Sequence, residues 1–132
     1  MTAAPESVAL VVTAAEAAAE KLAQHIVAFD VSAQLAITDA FLLCSAPNER
    51  QVGAIVDEIE ERLRLDHGAK PARREGAREG RWVLLDYIDI VVHVQLTDER
   101  VYYSLERLWK DCPTIPLPES VTGPAPRDVA EA

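Results

Sequence analysis

The chain predicts a mixed α/β (α+β) fold, with one mainly five-stranded mixed sheet flanked by helices. Three observations carry that prediction. Two strand-like runs, Trp82-Val-Leu-Leu and Ile90-Val-Val-His-Val-Gln95, enclose a short acidic interruption, Asp86-Tyr87-Ile88-Asp89. Helical periodicity stands near the start of the chain and again from Val52 to Leu63. The resulting order, α-β-β-α-β-β-β-α, puts a helix between strands. At least one connection must then cross over, so parallel and antiparallel pairs share the sheet.

The first helix is expected over about 6–22. Val8, Val11, Val12, Ala15, Ala19 and Leu22 fall on one stripe, while Glu16, Glu20 and Lys21 lie largely off it. Residues 25–32 and 38–45 are strand-like. Pro47 stops the second, and Asn48-x-x-Gln51 resembles a capping box opening a helix. Val52, Ile55, Val56, Ile59 and Leu63 continue it, and Gly68 marks its end. Pro71 confines the short charged stretch 70–76 to an edge or to the start of a strand. Gly76 and Gly80 then bracket a turn. In the hairpin that follows, alternation places Trp82, Leu84 and Asp86 on one face and Val83, Leu85 and Tyr87 on the other. The hairpin reads as central and buried on both faces. A last helix starts at Thr97, with Val101, Leu105, Leu108 and Trp109 as one stripe, and Pro113 ends it.

A chain of 132 residues fits one domain. The folded unit is expected over 6–111. Residues 112–132, with Pro113, Pro116, Pro118, Pro124 and Pro126, read as an irregular or disordered tail. The formal charge of −9, from 22 acids against 13 Lys and Arg, opposes nucleic-acid binding and suits a basic protein partner. Cys44 and Cys112 form no disulfide framework, there is no leader-like segment, and no run approaches the about 20 apolar residues of a membrane span. A soluble, cytoplasmic protein is the expectation.

Catalytic motifs are weak. Asp86 and Asp89 could be the metal-binding pair of a nucleotidyltransferase, but that chemistry uses carboxylates at i and i+2 on one strand. Here the spacing is i and i+3 across a turn, without a glycine-rich phosphate cradle, which favours acids that bond local backbone. His25, His67 and His93 have no partners at ligand spacing, so no metal or cofactor is expected, and His93 reads as a satisfied sheet histidine. Ser32 and Ser45 lack a Gly-x-Ser-x-Gly elbow, and Cys44 lacks a neighbouring basic residue that would make it a thiolate. Arg73, Arg74, Arg78 and Arg81 form a basic cluster, read as solvated turn charges. Trp82 fits the core or the rim of an interface, and both readings stay open.

Taken together, these pieces resemble the ribosomal silencing factors (RsfS, the iojap-like proteins). The matching residues are Asp30-Val-Ser32, Thr38-Asp39, Asn48-Glu-Arg-Gln-Val52, Lys70-Pro-x-Arg73-x-Glu75-Gly76, Trp82-Val-Leu-Leu-Asp86-Tyr-x-Asp89-x-Val-Val-His93 and Tyr102-Tyr-x-Leu-Glu-x-Leu-Trp-Lys110. They cover roughly 6–111 in family order. The resemblance implies a nucleotidyltransferase-like core without its active site and a translation repressor that is not an enzyme. Such a protein docks on one large-subunit ribosomal protein (number fourteen) and blocks subunit joining when nutrients fall, often as a homodimer. No nucleic-acid site is implied beyond a peripheral contact with ribosomal RNA. Carried over as the contact region are Trp82, Leu84, Asp86, Tyr87 and Asp89, with Lys70 and Arg73. The family usually has glycine where Ile88 stands, an aromatic near Ala40, and often an aromatic or methionine near Gln95. Because isoleucine disfavours positive φ, a different or longer turn is expected at Ile88.

Overall fold

Strand β5 (Ile90–Leu96) occupies the middle of one five-stranded sheet of order β1-β2-β5-β4-β3, where β1 is Gln24–Asp30, β2 Ala40–Ala46, β3 Arg73–Glu75 and β4 Trp82–Asp86. The computed structural model describes residues 2–122, apart from the side chains of Tyr102, Tyr103 and Leu105. β2 and β5 pair in parallel, and the other pairings are antiparallel. The parallel pair is the expected crossover, since helix α2 (Glu49–His67) and the β3–β4 hairpin intervene between its strands.

Helix α1 (Pro5–Glu20) and α2 pack side by side on one face of the sheet. Their buried side chains, among them Val11, Ala14, Ala15, Ala18, Ile55, Ile59 and Leu63, meet Leu42, Cys44, Val83, Leu85, Ile90, Val92 and Val94 in one core. Alanine leaves room for close approach of α1 to both neighbours. At the start of α2, Asn48 accepts the Gln51 backbone N–H at 2.8 Å, and Gly68 closes the helix at φ 64°. The Gln51 side chain does not return to Asn48 as a full capping box would. It donates instead to the carbonyls of Lys21 and Leu22, tying the two helices together.

The other face is covered unevenly. Phe29, Val31, Leu43 and Cys112 form a second, smaller core with Val27, Leu35, Phe41 and Trp109 packed against it. Helix α3 (Thr97–Tyr103) packs on β2 and β5, its Arg100 reaching Ser45 on this side, and the single turn α4 (Leu105–Leu108) follows it. A short turn, α5 (Glu119–Thr122), lies against α1.

Several expectations need correction. The buried stripe of α1 is Ser7, Val11, Ala14, Ala15, Ala17 and Ala18, whereas Leu22 lies beyond the helix at φ 64° and points to solvent. The last helix is not continuous. Ser104 takes φ 48°, and Val101 and Leu108 are each 72% exposed, so their stripe is not a core face. The buried side chain there is Arg100, which donates through Nη1 to the His25 carbonyl and through Nε and Nη2 to Glu106 at 2.9 and 2.8 Å. A guanidinium that recruits an acid from beyond the break favours two short turns over one straight helix.

Packing also continues past residue 111. The Asp30 N–H donates to the Pro113 carbonyl, the Ile115 N–H donates to the Ala28 carbonyl, and Cys112 and Ile115 are buried. This segment covers the edge of β1, where unpaired backbone groups would otherwise face water. The rest of the expected tail, 123–132, lies outside the described residues. Finally, β5 is buried on both faces as expected, but β4 only on one.

Candidate partner-binding face

The register places the candidate side chains in rows on the face of the sheet opposite α1 and α2. Glu75, Leu84, His93 and Leu43 form one row, and Arg73, Asp86, Val91 and Phe41 the next. Trp82 stands beside Gln95. Trp82, Leu84 and Phe41 are half-buried on the sheet face opposite the α1–α2 pair. A shallow cavity beside them is lined by Glu75, Gly76, Trp82 and Leu84.

Four rings run across this face. The Trp82 indole Nε1–H donates to His93 Nδ1 at 3.1 Å, with ring centroids 6.1 Å apart. Phe41 meets His93 edge-on at 5.3 Å and Trp109 edge-on at 5.1 Å. Burial pushes His93 down to about 4, so the ring is neutral near pH 7, and with Nδ1 accepting, its proton sits on Nε2. The buried His93 thus sits among three half-buried rings on an otherwise acidic chain, and aromatic groups of this kind contribute strongly at interfaces.

The sequence-predicted contact residues separate into groups. Trp82 and Leu84 share this face. Asp86 is spent on local structure: Oδ1 accepts the Ile88 N–H at 2.8 Å, and Oδ2 lies 3.3 Å from Arg73 Nη2. Tyr87 points the other way, into the helical core, and is only 7% exposed. There burial first, and Glu60 second, raise its hydroxyl to about 12. Tyr87 is therefore a core residue and leaves the accessible set. Asp89 is exposed at the hairpin tip, and Lys70 is exposed between α2 and β3. Three residues of the face, Phe41, His93 and Trp109, lie outside the set that sequence reasoning finds. For Phe41 the signal is its alternation with core residues in β2. For His93 the reading as a satisfied sheet histidine is incomplete, because its partner is Trp82.

The turn at Ile88 keeps the positive φ that isoleucine disfavours. Ile88 takes φ 73°, with the Asp89 N–H bonded to the Tyr87 carbonyl at 2.8 Å around it, a tight γ-turn. Its carbonyl accepts from Thr38 Oγ1, and the Asp89 carbonyl accepts the Asp39 N–H, so the neighbouring loop clamps the strained residue. Ile88 is 48% exposed.

The signature acids of the β1–β2 region also acquire a role. Asp30 accepts from Ala3 N–H and from Ser32, while Asp39 accepts from Ala4 N–H and Ser7 Oγ. They anchor the start of α1. Among the described residues, no group of three or more His, Cys, Asp or Glu could hold a metal ion. Arg73, Arg74 and Arg81 are each matched with acids, Arg74 Nε lying 2.8 Å from Glu60 and Arg81 Nη2 2.7 Å from Glu99. No helix among the described residues is long and apolar enough to cross a membrane.

Residues 4–132 match the family model described as "Ribosomal silencing factor during starvation". Relatives named "Ribosomal silencing factor RsfS" include one from Halalkalibacterium halodurans, 42% identical over 104 residues that cover 79% of this chain and 88% of the relative. Another, from Bacillus subtilis, is also 42% identical over 104 residues, covering 79% of this chain and 87% of that protein. A crystal structure of a Chromobacterium violaceum protein superposes with a TM-score of 0.73 at 30% identity, covering 77% of this chain and 84% of that one.

Proposed function

The chain belongs to the ribosomal silencing factor family, and from that premise we propose that it represses translation by occupying the large ribosomal subunit. The partner in this reading is ribosomal protein number fourteen of that subunit, and binding there excludes the small subunit by bulk. The work is done in the cytoplasm, by a protein that also pairs with its own copy. The observation that carries the reading is the half-buried aromatic and apolar face that Trp82, Leu84 and Phe41 build on the side of the sheet opposite α1 and α2.

An obstacle needs only affinity and size. About 800 Å² per partner makes a stable contact. A half-buried tryptophan beside leucine and phenylalanine supplies the apolar centre, and the charge of −9 speeds encounter with a basic protein. Exposed Asp89 at the rim contributes to that steering, with Lys70 and Arg73 at the periphery. Ribosomal RNA contributes at most peripheral contact.

A nucleotidyltransferase reading fares worse on geometry. Asp86 turns both oxygens to the Ile88 N–H and to Arg73, so it does not present a free carboxylate alongside Asp89. A regulatory protein without catalysis is the reading that fits.

Trp82→Glu tests it. The variant should stop travelling with large subunits in a sucrose gradient while keeping the wild-type circular dichroism spectrum. Wild-type sedimentation of that variant would place the partner surface elsewhere.

A further inference from the structure

We propose that His93 is a positioning residue for Trp82, holding the indole in the orientation that meets the partner; the role rests on the partner-face reading above. His93 lies on the central strand, across from Leu84 on one side and Leu43 on the other, and is 7% exposed. Its Nδ1 accepts the Trp82 indole N–H at 3.1 Å. Its ring is wedged by Phe41, edge-on at 5.3 Å, and Phe41 is in turn held by Trp109. The acceptor that fixes the indole is therefore itself fixed from behind, by strand β2 and by the chain after α4.

A half-buried tryptophan side chain that can turn must be ordered when it docks, and that ordering weakens binding. A hydrogen bond to a ring that is itself packed against Phe41 removes part of that cost in advance. Phenylalanine or leucine at position 93 would fill the space equally well and would not define where the indole N–H points. The bond also selects the neutral imidazole tautomer, because an imidazolium Nδ1–H would face the indole N–H.

The test compares His93→Leu, which keeps apolar volume, with His93→Asn, whose side-chain oxygen stands near the position of Nδ1. The Trp82 indole signal is followed in a proton–nitrogen correlation spectrum of the free protein, assigned with Trp109→Phe, and affinity for purified large subunits is measured by sedimentation. The leucine variant should shift the indole signal and lose about tenfold in affinity, and the asparagine variant should recover both. An unmoved indole in the leucine variant overturns the proposal, as does a moved indole with wild-type affinity. Should the leucine variant not fold, His93→Phe keeps a flat ring without the acceptor and carries the same comparison. A wild-type protein that ignores large subunits removes the partner reading and this role with it. The indole comparison, made on the free protein, would then still report whether the hydrogen bond exists.

Discussion

Gly76 offers the sharpest test of how the candidate face is built. It follows β3 at φ 79°, and a Cβ placed there would lie 2.0 Å from the Trp82 carbonyl oxygen and 3.1 Å from its carbon. Both atoms are backbone, so no side chain can swing away. Gly76→Ala must then either part the β3–β4 hairpin by about 1.5 Å, to restore ordinary contact distance, or abandon the left-handed conformation. The left-handed backbone costs a non-glycine residue about 1–2 kcal/mol. The forced overlap adds about 1–3 kcal/mol. A loss of about 3 kcal/mol corresponds to a melting point lower by about 10 °C for a domain of this size. Gly53 supplies the control: it lies in α2, and a Cβ added there would meet nothing within 4 Å, so Gly53→Ala should gain about 0.5–1 kcal/mol. Calorimetry on the two variants decides the matter. A Gly76→Ala protein melting within about 2 °C of wild type would refute the argument that this glycine is demanded by the Trp82 carbonyl.

Arg100→Met should cost about 3 kcal/mol in urea unfolding, because Glu106 and the His25 carbonyl lose the guanidinium that holds them; the part exposure of Glu106 keeps the figure at the low end. A loss below about 1 kcal/mol would show the pairing to be incidental. His93 makes the fold acid-sensitive. Its pKa falls from 6.5 to about 4 on folding, so the unfolded chain takes up the proton first as pH drops. That contribution is complete above pH 6.5 and drains away down to about pH 4, on the order of 3 kcal/mol in all. His93→Asn should flatten that part of the stability curve, and an unchanged slope would contradict the burial of the ring. Asp89→Lys should slow association with large subunits several-fold at low salt while leaving the melting point nearly unmoved, since its side chain is exposed. An unaltered on-rate would remove Asp89 from the steering charges.

Much of the fold is legible in the sequence. The order of elements, the crossover, the Asn48 cap, the Gly68 stop and the edge position of β3 follow from local chemistry: side-chain period, proline, and the few residues that tolerate a helix end. The last helix is not legible in that way. Its apolar spacing suggests one stripe, but the buried Arg100 and the break at Ser104 depend on an acid six positions further along and on a carbonyl from β1. Nor is Ile88 legible, because the clamp that holds its positive φ comes from Thr38 and Asp39 in another loop.

The candidate face divides in the same way. Alternation along β4 is enough to put Trp82 and Leu84 on one side and Tyr87 on the other. The order of residues alone established the family, the alternating faces and the acidic character of the chain, since each is a property of neighbours in sequence. Which side of the sheet α1 and α2 cover, which acids were consumed by backbone, and that His93 accepts from Trp82 were decided only when distant strands came into register. Those choices hang on contacts between residues far apart along the chain, where linear spacing carries no distance.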